Sequence, residues 1–146
     1  LLGGSVPVSK AQKAKASECK VEITSPRPGS NVSSPEDAEG KATIVDDGFL
    51  WILSHRRGLP DWWPQQKAEI TPRTGSWKVT VFYGEDRDRS GTEFEIVAVV
   101  VNKTESDKLA SWLKKARETD NYRNPPSRPV NIEGCAVNAP IIVVKQ

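Results

Sequence analysis

His55 is the only histidine in the chain and stands in Ser54-His55-Arg56-Arg57. An imidazole titrates near neutral pH, so it can act as a general base toward a nucleophile held within hydrogen-bond reach and oriented by a carboxylate. The chain has no Gly-x-Ser-x-Gly elbow, and neither of its two cysteines, Cys19 and Cys135, has neighbours that would activate a thiolate. An enzyme would need a pocket gathering His55 with Asp61 or other acids, and the spacing foretells none. One histidine and two distant cysteines also fall short of a zinc ligand pattern. His55 therefore reads as an exposed loop residue at the end of a strand.

Asp86-Arg87-Asp88-Arg89-Ser90-Gly91 has the shape of a calcium-loop start. Such a loop needs a bidentate glutamate at its twelfth position, and counting from Asp86 that position is Val97. Arg87 and Arg89 also dilute the negative charge, so the segment reads as a charged turn. The sequence thus leads to no catalytic residue, no metal site and no cofactor.

Trp62-Trp63-Pro64-Gln65-Gln66 offers different chemistry. Neighbouring side chains in an extended segment point to opposite sides, so one indole can pack while the other stays at the surface. An exposed indole beside Gln65 and Asp61 makes a flat apolar platform with hydrogen-bonding rims. It suits a sugar ring, a peptide or a partner protein. Arg56, Arg57 and Arg73 would flank this surface and accept carboxylates or phosphates. The competing reading packs both rings, one into the core and one beneath a long loop. Asn31-Val32-Ser33 and Asn102-Lys103-Thr104 match the N-glycosylation pattern, a tripeptide that recurs by chance.

The elements that must hold these residues are mostly strands. Val21 and Ile23 alternate with polar residues before Pro26, Pro28 and Gly29 end the run. Glu39 to Val45 reads as a second strand, and Asp46-Asp47-Gly48 as a hairpin or tight turn in which glycine takes a positive φ. Phe49 to Leu53 is an aromatic and aliphatic run that reads as a central buried strand. Lys67 to Thr71, Ser76 to Phe82, Thr92 to Val101 and Ile141 to Lys145 follow, separated by turns. One helix interrupts them from Thr104 to about Thr119. Thr104-Glu105-Ser106-Asp107 resembles a capping box, and Leu109, Trp112, Leu113 and Ala116 form an apolar face. The pattern predicts an all-β, immunoglobulin-like sandwich of about seven strands with one inserted helix, packed on a sandwich edge or an open face.

A chain of 146 residues suits one domain over residues 21–146, with residues 1–20 as a tail or linker. The net charge is +2, and Lys10, Lys13, Lys15 and Lys20 concentrate it in the tail, leaving a nearly neutral body. That is not a nucleic-acid footprint. The longest apolar run, Ile96 to Val101, is too short to span a bilayer. There is no methionine. The chain reads as a fragment or a processed product, and its opening as a stub following a removed signal or a membrane tether. Cys19 borders the first strand and Cys135 precedes the last. Bridged, they fit an oxidising compartment, periplasmic, cell-surface or secreted; unbridged, they are two unrelated thiols.

Ile23-Thr24-Ser25-Pro26, Pro28-Gly29, Val32, Ser34-Pro35 and Glu39-Gly40-Lys41-Ala42 resemble the opening of bacterial immunoglobulin-like domains attached to spore-germination proteins and lipoproteins. The likeness covers residues 21–43, about the first quarter of the folded part. Leu50-Trp51, Trp63-Pro64-Gln65 and Gly75-Ser76-Trp77 look like bacterial domains that follow membrane segments. The resemblance implies a non-catalytic extracytoplasmic binding module of an envelope protein. Its partner would be a protein, a peptide or a glycan. A structural spacer and a cytosolic sensor domain are the rival readings, and the sensor requires reduced cysteines lying far apart.

Overall fold

The computed structural model describes residues 19–85 and 88–146. Most of the expected tail, residues 1–18, lies outside the described residues, as do Asp86 and Arg87 of the charged turn. In chain order the elements are β1 (Cys19–Ser25), β2 (Asn31–Val32), β3 (Glu36–Thr43), β4 (Phe49–Arg56), β5 (Trp63–Lys67), β6 (Ser76–Val81), β7 (Glu93–Val101), α1 (Lys103–Thr119), β8 (Cys135–Val137) and β9 (Ile141–Lys145). They form two packed sheets, one ordered β6-β3-β1-β8 and the other β2-β9-β7-β4-β5. The expected all-β sandwich with one inserted helix is what the chain builds. The strands beyond the expected seven include the two-residue β2 and the three-residue β8.

β7 reads as continuously apolar because both of its faces are covered. Phe94, Ile96, Ala98 and Val100, with Leu50 and Ile52 of β4, meet Trp77, Val79 and Val81 of β6 in the opposite sheet. Val97, Val99 and Val101 turn the other way, toward Trp51 and Leu53 of β4 and Leu109 and Leu113 of α1. The helix therefore lies on the outer face of the five-stranded sheet. Its spacing of Leu109, Leu113 and Ala116 requires such a cover.

The helix begins one residue earlier than its sequence suggests, and its cap is different. Asn102 is the N-cap: its Oδ1 accepts from the Glu105 amide at 2.9 Å, while Lys103 and Asp107 pair one turn apart at 2.8 Å. Asn caps as well as Thr, and the Thr104 hydroxyl is not needed.

Three strand expectations shift. The segment from Val21 to Thr43 contains a crossing: β1 and β3 pair in one sheet, while β2 joins β9 of the other in a parallel pair. The second long strand therefore opens at Glu36 rather than Glu39. Asp46-Asp47 makes a tight turn closed by Gly48 N–H to Val45 C=O at 2.9 Å, but it links the two sheets and is not a hairpin. Gly48 is needed for room rather than for φ, since a Cβ there would meet Val100 Cγ1 at 2.9 Å. The strand placed at Lys67 to Thr71 lies instead at Trp63 to Lys67, paired with Trp51 to Ser54. Pro64 is tolerated there because β5 is an edge strand, which needs no donor on its outer side.

Cys19 and Cys135 sit opposite each other in the parallel β1–β8 pair, with Cα atoms 4.5 Å apart, and are joined by a disulfide. The bridge links residues 116 apart in sequence.

Candidate functional site

β4 and β5 form a hairpin in which Ser54 pairs with Trp63, so His55 and Trp62 are the next cross-strand neighbours. Such neighbours touch across an antiparallel pair. The imidazole stacks on the Trp62 indole, with ring centres 4.3 Å apart and planes inclined by 12°. His55 Nδ1 lies 3.0 Å from the Asp61 carbonyl oxygen. A carbonyl only accepts, so Nδ1 is the donor in this contact, and Nε2 lies 3.7 Å from the Glu95 carboxylate of β7. The His55 side chain is only 11% exposed. It is thus an enclosed strand residue rather than a solvated loop histidine.

The chain leaving α1 closes over this hairpin. Asp120 ends the helix in the left-handed conformation, at φ 52°, and the Pro-rich stretch from Asn121 to Pro129 follows. The Arg128 guanidinium carbon lies 4.5 Å from the centre of the Trp62 indole. Trp63 Nε1 donates to the Tyr122 carbonyl at 2.7 Å, and the Tyr122 ring meets Trp112 edge-on at 6.3 Å. Further along, Asn131 accepts from the Val100 amide at 2.8 Å and donates to the Cys135 carbonyl, so the strap is fixed to β7 and to the bridged cysteine. Both tryptophans are partly exposed and are held by this one segment. Trp62 also packs against the helix-side core.

The other residues marked by sequence are dispersed. Gln65 accepts from the Phe82 amide at 2.7 Å, and Gln66 accepts from the Thr80 amide at 3.3 Å. The two carboxamides occupy the Thr80 amide of β6 and the Phe82 amide just past its end, at the edge of the opposite sheet, which blunts that edge against pairing with another chain. Arg56 and Arg57 are engaged with acids of the charged turn and of β7. Arg56 bonds Asp88 at 2.9 Å, and Arg57 bonds Glu93 at 2.7 Å. Asp88 also accepts from the Glu85 amide at 2.7 Å, so within the charged turn its carboxylate serves an arginine and the backbone. Among the described residues, no three His, Cys, Asp or Glu side chains gather as a metal ligand set.

Tyr122, Arg128 and Glu95 complete the Trp62–Trp63 surface and carry no signal in the sequence. Trp112 had one, its place on the apolar helix face. A separate cleft of about 780 Å³ opens at the end of the sandwich where β1 begins. Arg73 lies in that cleft, beside Lys20, Lys41 and Asp46 and away from Trp62. In comparisons with known proteins, the chain matches no family model and no curated protein.

Proposed function

We propose that this is a non-enzymatic, immunoglobulin-like binding module of a bacterial envelope protein, acting outside the cytoplasm. Its contact surface is the Trp62–Trp63 hairpin with the Tyr122–Arg128 strap. The carrying observation is that two partly exposed indoles are both held by one strap, with a guanidinium over one of them. Trp and Arg dominate interface hot spots, and side chains already held in place lose less entropy when they engage a partner. The bridged cysteines support an oxidising compartment and weigh against a cytosolic sensor, which requires separated thiols. The state of His55 supports the non-enzymatic reading, since one imidazole face lies on Trp62 and both nitrogens are directed at protein oxygens.

The test pairs Trp62→Ala and Trp63→Ala with arrays of cell-wall glycans and of peptides. Each variant should lose the ligand that the wild type retains, with unchanged circular dichroism. Binding that survives both substitutions would sink the assignment. A thiol titration of the denatured, unreduced protein should find no free thiol.

The spacer reading keeps one specific observation in its favour, the enclosure of Trp62 by His55 and Arg128. Acrylamide quenching separates the two. A binding surface leaves the Trp62 and Trp63 fluorescence open to the quencher, and a spacer does not.

A further inference from the structure

A second, narrower groove runs between the C-terminal half of α1 and the edge strand β5, with a volume of about 340 Å³. Trp51 and Leu113 lie at its floor, and Lys67, Lys114, Arg117 and Glu118 form its rim. Three cations thus face one carboxylate over an apolar base. Lys67 is partly engaged, 4.0 Å from Glu69 and 5.6 Å above the Phe49 ring. Among the described residues, neither Lys114 nor Arg117 makes an ion pair. They stand three apart on one helix, so their side chains leave it from adjacent positions. Two adjacent cations that make no ion pair complement two carboxylates, or one carboxylate held in a fork by the guanidinium.

We infer that this groove binds an acidic peptide segment of a partner protein, with one apolar side chain inserted between α1 and β5 and flanking carboxylates on Lys114 and Arg117. The volume lies near the low end of ligand-sized pockets, about 300–1,000 Å³, which fits a single anchored side chain rather than a globular ligand. A polyanionic glycan fits less well. Sugar rings bind by stacking on an open indole face, and Trp51 is 2% exposed. The inference stands apart from the Trp62–Trp63 surface, because no groove residue belongs to it.

The test titrates the 15N-labelled 146-residue chain with three probes: Ac-Glu-Glu-Leu-Leu-Glu-Glu-NH2, its lysine counterpart and oligogalacturonate. The acidic peptide should give saturable shifts centred on the Lys67, Ala110 and Leu113 amides. Its Kd should rise severalfold, roughly threefold to tenfold, between low and physiological salt. Lys114→Glu with Arg117→Glu should weaken it by about tenfold or more, and Lys114→Gln with Arg117→Gln by less. Lys103→Glu, near the other end of α1, should leave it unchanged. Four results would overturn the inference: no saturable binding, shifts centred elsewhere, equal binding of the lysine peptide, or binding of oligogalacturonate in place of the acidic peptide.

Discussion

The two faces of the five-stranded sheet solve the same burial problem with different side chains. The inner face meets the second sheet through Leu50, Ile52, Ile96 and Val143, and it encloses Trp77 and Tyr83. Among the described residues, neither the Trp77 indole nitrogen nor the Tyr83 hydroxyl has a hydrogen-bond partner there. The outer face meets one helix, and its buried indole is satisfied: Trp51 Nε1 donates to Ser106 Oγ at 2.9 Å. The inner layer is therefore chosen for volume, at the expense of orphaned polar atoms. The outer layer is chosen for position, since a directional bond fixes where α1 sits. Both the Trp62–Trp63 surface and the cationic groove depend on that placement.

The contrast breaks most sharply at Gly40, on the inner side. A Cβ there would run into the Glu22 carbonyl oxygen and the Trp77 ring. Gly40→Val should cost about 4 kcal/mol or more, enough to prevent folding, as read by urea denaturation. Leu109→Ala, on the outer side, should cost about 2–4 kcal/mol. Hydrogen exchange should show α1 opening before the sheets do, if the two layers differ in cooperativity as their bonding suggests. Ser106→Ala leaves the Trp51 N–H buried and unpaired, and should cost about 1–3 kcal/mol in urea denaturation.

Tyr83→Phe sharpens the comparison with the opposite sign. Deleting an unpartnered buried hydroxyl should raise thermal stability by about 1 kcal/mol. Burial first, and the Glu36 carboxylate second, push the Tyr83 phenol well above its ordinary range, so the fold favours the neutral form. That contribution is complete below the unfolded phenol pKa near 10 and is lost as pH rises above it. Tyr83→Phe should therefore unfold less steeply on the alkaline side than the wild type. The smallest effect belongs to Arg57→Ala. Arg57 and Glu93 are each 48% exposed, and such pairs contribute about 0–1 kcal/mol.

Period-two alternation placed β1, β6 and β7 because each must hide one face or two, and a hidden face leaves a record in residue type. The helix was legible for the same reason. β2, the Glu36 boundary and the Trp63–Lys67 strand were not. β2 is too short to show a period, and Trp63-Pro64-Gln65-Gln66 does not alternate because its pairing carries an irregularity opposite Ile52 and Leu53. At the candidate site, the tryptophans were visible by type. The grip of Arg128 and Tyr122 was not, since it depends on where a proline-rich strap lands after the helix. Gln65 looked like part of a ligand-facing rim, yet it serves the Phe82 amide just past β6, because an edge strand of one sheet passes beside an edge strand of the other.

The Cys19–Cys135 bridge gives the fold a mechanical character. Tension arriving through Cys19 crosses directly to Cys135 and bypasses the intervening loop. Of the described fold, only the stretch after Cys135 remains to be drawn out, with β9 peeling from β7. Its eleven residues extend to about 40 Å at most. While the bridge is intact, the domain would yield a short, fixed length under load and keep both tryptophan clamp and groove assembled.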